Sequence, residues 1–235
     1  MALPESLDQK LYHAEIHYQA LSAAVNAYLN DSPAGLVEQP DSTPEMTHHR
    51  VQGIKKVPGQ AGLILGDCIQ NLRSTLDYLV AELALANGTI PNRKHMFPIA
   101  MNVEQHRNDF KGEKLRGINP VAVGLIEAIQ PCWMTEPKDS PLYVIDELTN
   151  LNKHRRPIVT GIQGTTAPPI GNMPHIVGIV RGADKPGSPV TEHVFRLWVG
   201  LAEEPAMNAE VVTLVEILTA HLRNVILPLF EQFLK

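Results

Sequence analysis

The sequence predicts an α+β protein, a core of long amphipathic helices carrying a small antiparallel sheet. Three observations predict it. Apolar residues recur every three or four positions through two long segments in the first ninety residues and one at the C-terminus. A stretch dense in proline and glycine separates the first two of these. Between residues 157 and 199 the apolar period falls to two, among β-branched and aromatic residues.

The elements follow in order. Leu7, Leu11, Ala14, Tyr18, Leu21, Val25 and Tyr28 lie on one helical stripe that ends before Asn30-Asp31-Ser32-Pro33. Pro33, Pro40, Pro44 and Pro58, with Gly35 and Gly53, exclude a long helix and suit a hairpin or an irregular excursion, of which the hairpin is expected. A second helix is predicted from about residue 60 to 87, with Leu65, Ile69, Leu72, Leu76, Leu79 and Leu83 as its seam and Asn87-Gly88 as its stop. From 91 to 131 the pattern breaks into shorter pieces. The clearest is a helix over 120–129, capped by Asn119 and opened by Pro120. Ser140-Pro141 opens another, carrying Leu142, Ile145, Leu148 and Leu151 as far as Pro157.

Strands are expected over 157–163, 174–181 and 190–199, the last two joined by the loop 182–189. A final helix from about Asn208 has the seam Val211, Leu214, Leu218, Leu222, Val225 and Leu229, with a kink expected at Pro228. The 235 residues are expected to form one domain over 1–235. Its helical core spans about 1–30, 60–155 and 206–235, with β-rich additions at about 35–58 and 156–200.

Composition narrows the function classes. Hydrophobic residues at 44% and charged residues at 19% are the balance of a globular chain. A net charge of −5 offers no overall basic field for nucleic acid or an anionic membrane. Cys68 and Cys132 lie far apart, which fits reduced packing residues. The start MALPESLDQK lacks a basic-then-apolar leader, and no uninterrupted apolar run reaches the ~18 residues of a membrane span, so a cytoplasmic address without membrane partners is expected. A Gly-rich phosphate loop, a G-x-S-x-G elbow, HExxH and CxxC are all absent from the sequence. His48-His49 falls among breakers, where neighbouring side chains diverge, and neither a metal nor a cofactor is expected.

Two helices carry an unusual polar inventory. In the second, Asp67, Asn71 and Tyr78 flank one side of the seam, and Gln70, Arg73 and Asp77 the other, with Arg73 and Asp77 spaced to pair. In the helix from Ser140, the residues Tyr143, Glu147, Asn150 and His154 fall within about 60° of one another beside the apolar face. Asn152 and Arg155 are aimed at the core and require partners there, with Asp67 or Asp77 as candidates for Arg155. A Glu and a His on one face suit general acid and base work, which makes Glu147 and His154 the candidate catalytic pair. Arg73, Asp77, Asn150, Lys153 and Arg155 are the candidate ligand contacts, the run Lys153-His154-Arg155-Arg156 suiting a phosphate. The same residues equally suit a buried structural network.

The segments GDCIQNLRSTLDYLVAEL and DELTNLNKHR, with an intervening FPI at 97–99, resemble a widespread family of uncharacterised bacterial proteins. Its pattern is a helix with Leu-Arg-Ser-x-Leu-Asp followed by a helix ending Asn-x-x-Lys-His-Arg. Here these are Leu72, Arg73, Ser74, Leu76 and Asp77, then Asn150, Lys153, His154 and Arg155. More distantly, Arg73-Ser74 resembles the Arg-polar-x-x-x-His signature of the higher eukaryote and prokaryote nucleotide-binding (HEPN) helical domains. That resemblance implies a HEPN-like helical core, a nucleotide or RNA ligand, a homo-oligomer and, in many members, ribonuclease activity. Tyr78 stands where that signature has its catalytic His, and a phenol titrating near pH ~10 is a poor base at neutral pH. The sequence therefore supports three readings: a binding protein for a phosphorylated small molecule or RNA end, a ribonuclease or phosphoesterase, or a non-catalytic dimeric interaction protein.

Overall fold

A computed structural model describes residues 3–40, 47–154, 158, 160–165, 175–182 and 191–234, with side chains of the sheet-forming segments described in part. It is mostly helical with small antiparallel sheets, as the α+β reading requires. The described residues divide into two compact units. One comprises residues 1–20, 63–158 and 214–235, and the other 21–62 and 159–213.

The first unit is helical. α1 (Glu5–Asn30) begins here and buries Leu7, Leu11 and Ala14. α2 (Gly59–Ala86) contributes the full predicted seam of Leu65, Ile69, Leu72, Leu76, Leu79 and Leu83, all buried. Its end is fixed by chemistry visible in the sequence. Gly88, with φ +76°, takes the left-handed position after the helix, and the N–H groups of Gly88 and Thr89 return to the carbonyls of Leu85 and Ala84, both at 2.9 Å.

Two shorter helices follow. α3 (Val103–Lys111) was not anticipated as a separate element, although its start is legible. Asn102 Oδ1 accepts the Gln105 N–H at 2.9 Å, and Gln105 Oε1 reaches back to the Met101 N–H at 3.0 Å. α4 (Pro120–Ala128) has the expected Asn119 cap and first-turn Pro120. α5 (Pro141–His154) starts where Ser140 predicts, its carbonyl accepting the Val144 N–H at 3.1 Å.

The C-terminal stretch departs from expectation at Pro228. α6 (Val211–His221) passes into a π-helical turn, Leu222–Ile226, and then a 3₁₀ segment, Leu227–Phe233, instead of a simple kink. Pro228 has no N–H to give the Asn224 carbonyl, and its ring crowds that carbonyl, so the preceding turn widens. The Leu227 N–H accordingly reaches the Leu222 carbonyl five residues back. The extra residue shifts the seam: Leu218, Leu222, Ile226, Leu227 and Phe230 are buried, whereas the predicted Val225 is exposed and Leu229 half-buried. Among the described residues, Val211–Phe233 is one helical stretch long and apolar enough to cross a bilayer, although Glu216, Arg223 and Glu231 interrupt it.

The second unit holds the strands. β1 (Gly35–Pro40) and β2 (Thr47–Gln52) form the expected hairpin, in a register from Gly35 opposite Gln52 to Pro40 opposite Thr47. β3 (Thr160–Thr165), β4 (His175–Gly182) and β5 (Thr191–Leu201) form a second antiparallel sheet in the order β3-β5-β4, with a register shift in β4 between Ile176 and Gly178. Beyond β5 the chain turns back through Asn208, at φ +69°, whose carbonyl accepts from the Trp198 indole at 3.1 Å. Glu210 then caps α6, accepting from the N–H groups of Val212 and Thr213 at 3.0 and 2.6 Å. The last helix thus starts three residues later than Asn208, because Asn208 forms this turn.

Candidate functional site

The polar residues singled out on α2 and α5 meet in the helical unit, around Arg73. This side chain sits on the inner flank of α2, one position past the seam residue Leu72, and only 8% of it is exposed. Burying a guanidinium is costly unless its donors find acceptors. Three surround it. Nη2 donates to the Phe97 carbonyl oxygen at 2.9 Å. Nη1 lies 3.0 Å from Asp77 Oδ1, and Nε lies 3.3 Å from Asp146 Oδ1. Nη1 is at ion-pair distance from Asp77 but off line for a hydrogen bond, so that contact is chiefly electrostatic.

Asp77 closes the arrangement by accepting the Phe97 N–H at 2.9 Å. The backbone of Phe97 thus donates to the carboxylate and accepts from the guanidinium of one i,i+4 pair. Phe97 itself is fully buried, which anchors the 91–102 segment against α2. Burial pushes the Asp77 carboxyl above the usual aspartate range, against the opposing pull of Arg73, the Phe97 N–H and Lys153. Two carboxylates flank one guanidinium, and Lys153, exposed at the end of α5, makes up the charge balance at longer range.

The expected site residues separate into three groups. Arg73 and Asp77 pair as their spacing predicts. Asn150 and Lys153 are exposed on α5, Asn150 Nδ2 donating to Asp146 Oδ2 at 3.3 Å. Lys153 forms no ion pair among the described residues. Glu147 is half-buried and has no ion pair with Arg73, whose α5 partner is Asp146. His154 ends α5, but its side chain lies outside the described residues, as does Arg155 entirely.

Asp146 was missed by sequence reasoning. Helical spacing places it beside the apolar positions Leu142 and Ile145, but nothing on α5 alone marks Arg73 as its partner. Asn152 is half-buried, and its amide lies against Gly66 of α2. A Cβ at position 66 would fall 2.6 Å from Asn152 Oδ1, so only glycine lets the amide lie on the α2 backbone. Tyr78 is 42% exposed and lies beneath the Lys10 ammonium, 5.3 Å from the ring centre.

A second buried group also escaped the sequence reading. His106 stacks on Phe110 with ring centres 4.3 Å apart, meets Trp133 edge-on at 4.9 Å, and brings Nε2 to 3.2 Å from Glu127 Oε1. Among the described residues, no group of three His, Cys, Asp or Glu is placed to hold a metal ion. Comparison with family models, with curated proteins and with solved structures finds no match to this chain.

Proposed function

We propose that the protein is a non-catalytic binding protein in which the Arg73 network is a structural clasp and the outer edge of α5 receives an anionic ligand. The observation that carries this reading is the burial of Arg73 among Phe97, Asp77 and Asp146, with its side chain only 8% exposed, which closes the guanidinium to a phosphate from solvent. The exposed polar groups beside the clasp are Asn150 and Lys153, and the sequence continues from Lys153 into His154-Arg155-Arg156. A cationic run of this kind, on a chain of net charge −5, suits a local contact to the phosphate of a small phosphorylated molecule or an RNA end.

The HEPN likeness of Arg73-Ser74 supports the helical-core part of this reading. A ribonuclease at that motif would need a mobile cation and a base. Arg73 is fixed, and Tyr78 occupies the base position under a lysine. Assembly into a homo-oligomer belongs to the same proposal, supported by exposed apolar side chains at Tyr12 and Ile16 of α1.

The test is fluorescence anisotropy with a 5′-phosphorylated, labelled oligoribonucleotide, competed by free nucleotides. Binding that falls in Lys153→Ala and Arg155→Ala, with a salt slope reduced by about one per cation removed, supports the reading. Saturable binding unaffected by either substitution, or no binding by the wild type, rules it out.

A further inference from the structure

A groove of about 380 Å³ runs between the first part of α1 and the C-terminal helical stretch of the helical unit. That volume lies in the range of small-molecule sites. Glu15 and Tyr18 line it from α1, Glu216 and Thr219 from α6, and Arg223 and Asn224 from the π turn. None of these residues belongs to the Arg73 clasp or to the α5 edge.

Two features distinguish this groove from an ordinary solvated helix face. First, it brings two carboxylates and a guanidinium to one concave surface, yet neither Glu216 nor Arg223 forms an ion pair among the described residues. Opposite charges that share a groove without pairing leave both sets of hydrogen-bonding positions open to a third party. Glu15 is half-buried and oriented by the Gln19 amide, which donates to its Oε1 at 2.8 Å. Second, the wall that carries Arg223 and Asn224 is the π turn imposed by Pro228. Such turns interrupt a helix at a cost in regularity and recur at functional sites. Two consecutive side chains, a guanidinium and an amide, line the groove from this one widened turn.

We propose that this groove binds a basic amino acid, or a short peptide carrying one. The ligand carboxylate is held by Arg223 and the Asn224 amide, and its two cationic groups by Glu15 and Glu216. The charge count sets the class: two carboxylates and one guanidinium complement a ligand with one carboxylate and two cations. The Thr219 and Ala220 side chains offer apolar contact to the methylene stem between those ends.

The test is isothermal titration calorimetry on the full chain with L-arginine, L-lysine and glycyl-lysine, and with cadaverine as a diamine that lacks the carboxylate. Saturable binding is expected for at least one of the three carboxylate-bearing probes. Arg223→Met and Glu216→Gln, both at exposed positions, are each expected to weaken it about tenfold or more, the scale of one charge-assisted contact, without lowering the melting temperature. Cadaverine is expected to bind about tenfold or more weakly than lysine. Absence of saturable binding by all three, undiminished binding in both variants, or equal binding of cadaverine and lysine would overturn the proposal.

Discussion

Replacing Arg73 by methionine keeps the aliphatic stem of the side chain and removes its charge, so the loss can be read from the contacts that disappear. The Phe97 carbonyl loses its donor, and Asp77 and Asp146 are left facing one another without the cation between them. Removing one partner of a buried ion pair costs about 3–5 kcal/mol, because the remaining charge is uncompensated. Here the two carboxylates retain 27% and 31% exposure and recover part of their hydration, which lowers the expected loss to about 2–4 kcal/mol. At roughly 2–4 °C per kcal/mol for a chain of this size, the melting temperature falls by roughly 5–15 °C. Urea denaturation followed by far-ultraviolet circular dichroism measures the effect directly.

The triple variant Arg73→Met, Asp77→Leu, Asp146→Leu separates an orphaned-charge cost from a packing cost. It removes all three charges together and should recover most of the lost stability. A loss below about 0.5 kcal/mol in Arg73→Met, the scale of an ordinary surface change, would refute the clasp. So would a triple variant no more stable than the single one.

Three further outcomes follow from the same geometry. Gly66→Ala should cost no more than about 1 kcal/mol alone, since only the flexible end of Asn152 must move, and should become stabilising by up to about 1 kcal/mol in the Asn152→Ala background, where the helix propensity of alanine acts unopposed; additive effects in a double-mutant cycle would contradict the contact. Burial lowers the His221 pKa below its ordinary 6.5, so the neutral ring is favoured by the fold. The stability it contributes is present above pH 6.5 and lost as pH falls through the lower folded value. His221→Gln should flatten that limb of a stability–pH curve, and an unchanged limb would contradict it. The Cys68 thiol is pushed up to about 12, first by burial and then by Asp67, so it should resist a disulfide reagent until the chain unfolds; rapid labelling of the native protein at Cys68 would contradict its placement.

What the sequence made legible was local. The α2 seam, its glycine stop and the Arg73–Asp77 pair all follow from spacing on a single helix, where 100° per residue fixes which side chains meet. The α3 cap was equally local, and Asn102-x-x-Gln105 marks it in the sequence. The third and fourth members of the clasp were not legible, because Asp146 and the Phe97 peptide reach Arg73 only once α5 and the 91–102 segment pack on α2. Helical spacing alone gathered Glu147 with Tyr143 and Asn150, one residue away from the carboxylate that pairs with Arg73. The C-terminal seam failed for a backbone reason. The apolar period was read through Pro228 as if each turn held 3.6 residues, and one widened turn exchanged Val225 for Ile226 and Leu229 for Phe230. The mixed-charge groove was invisible in sequence because its lining comes from residues some two hundred positions apart.

The measurement that tests the central claim most directly compares Arg73→Met with Lys153→Ala, recording for each the melting temperature and the affinity for a 5′-phosphorylated oligoribonucleotide. The account predicts that the two properties separate. Arg73→Met loses stability and, below its melting transition, keeps its affinity to within about twofold, whereas Lys153→Ala, which removes only a longer-range attraction to Asp77, loses much less stability and binds less tightly. An Arg73→Met protein that melts normally but no longer binds would make Arg73 a ligand contact and contradict the structural clasp.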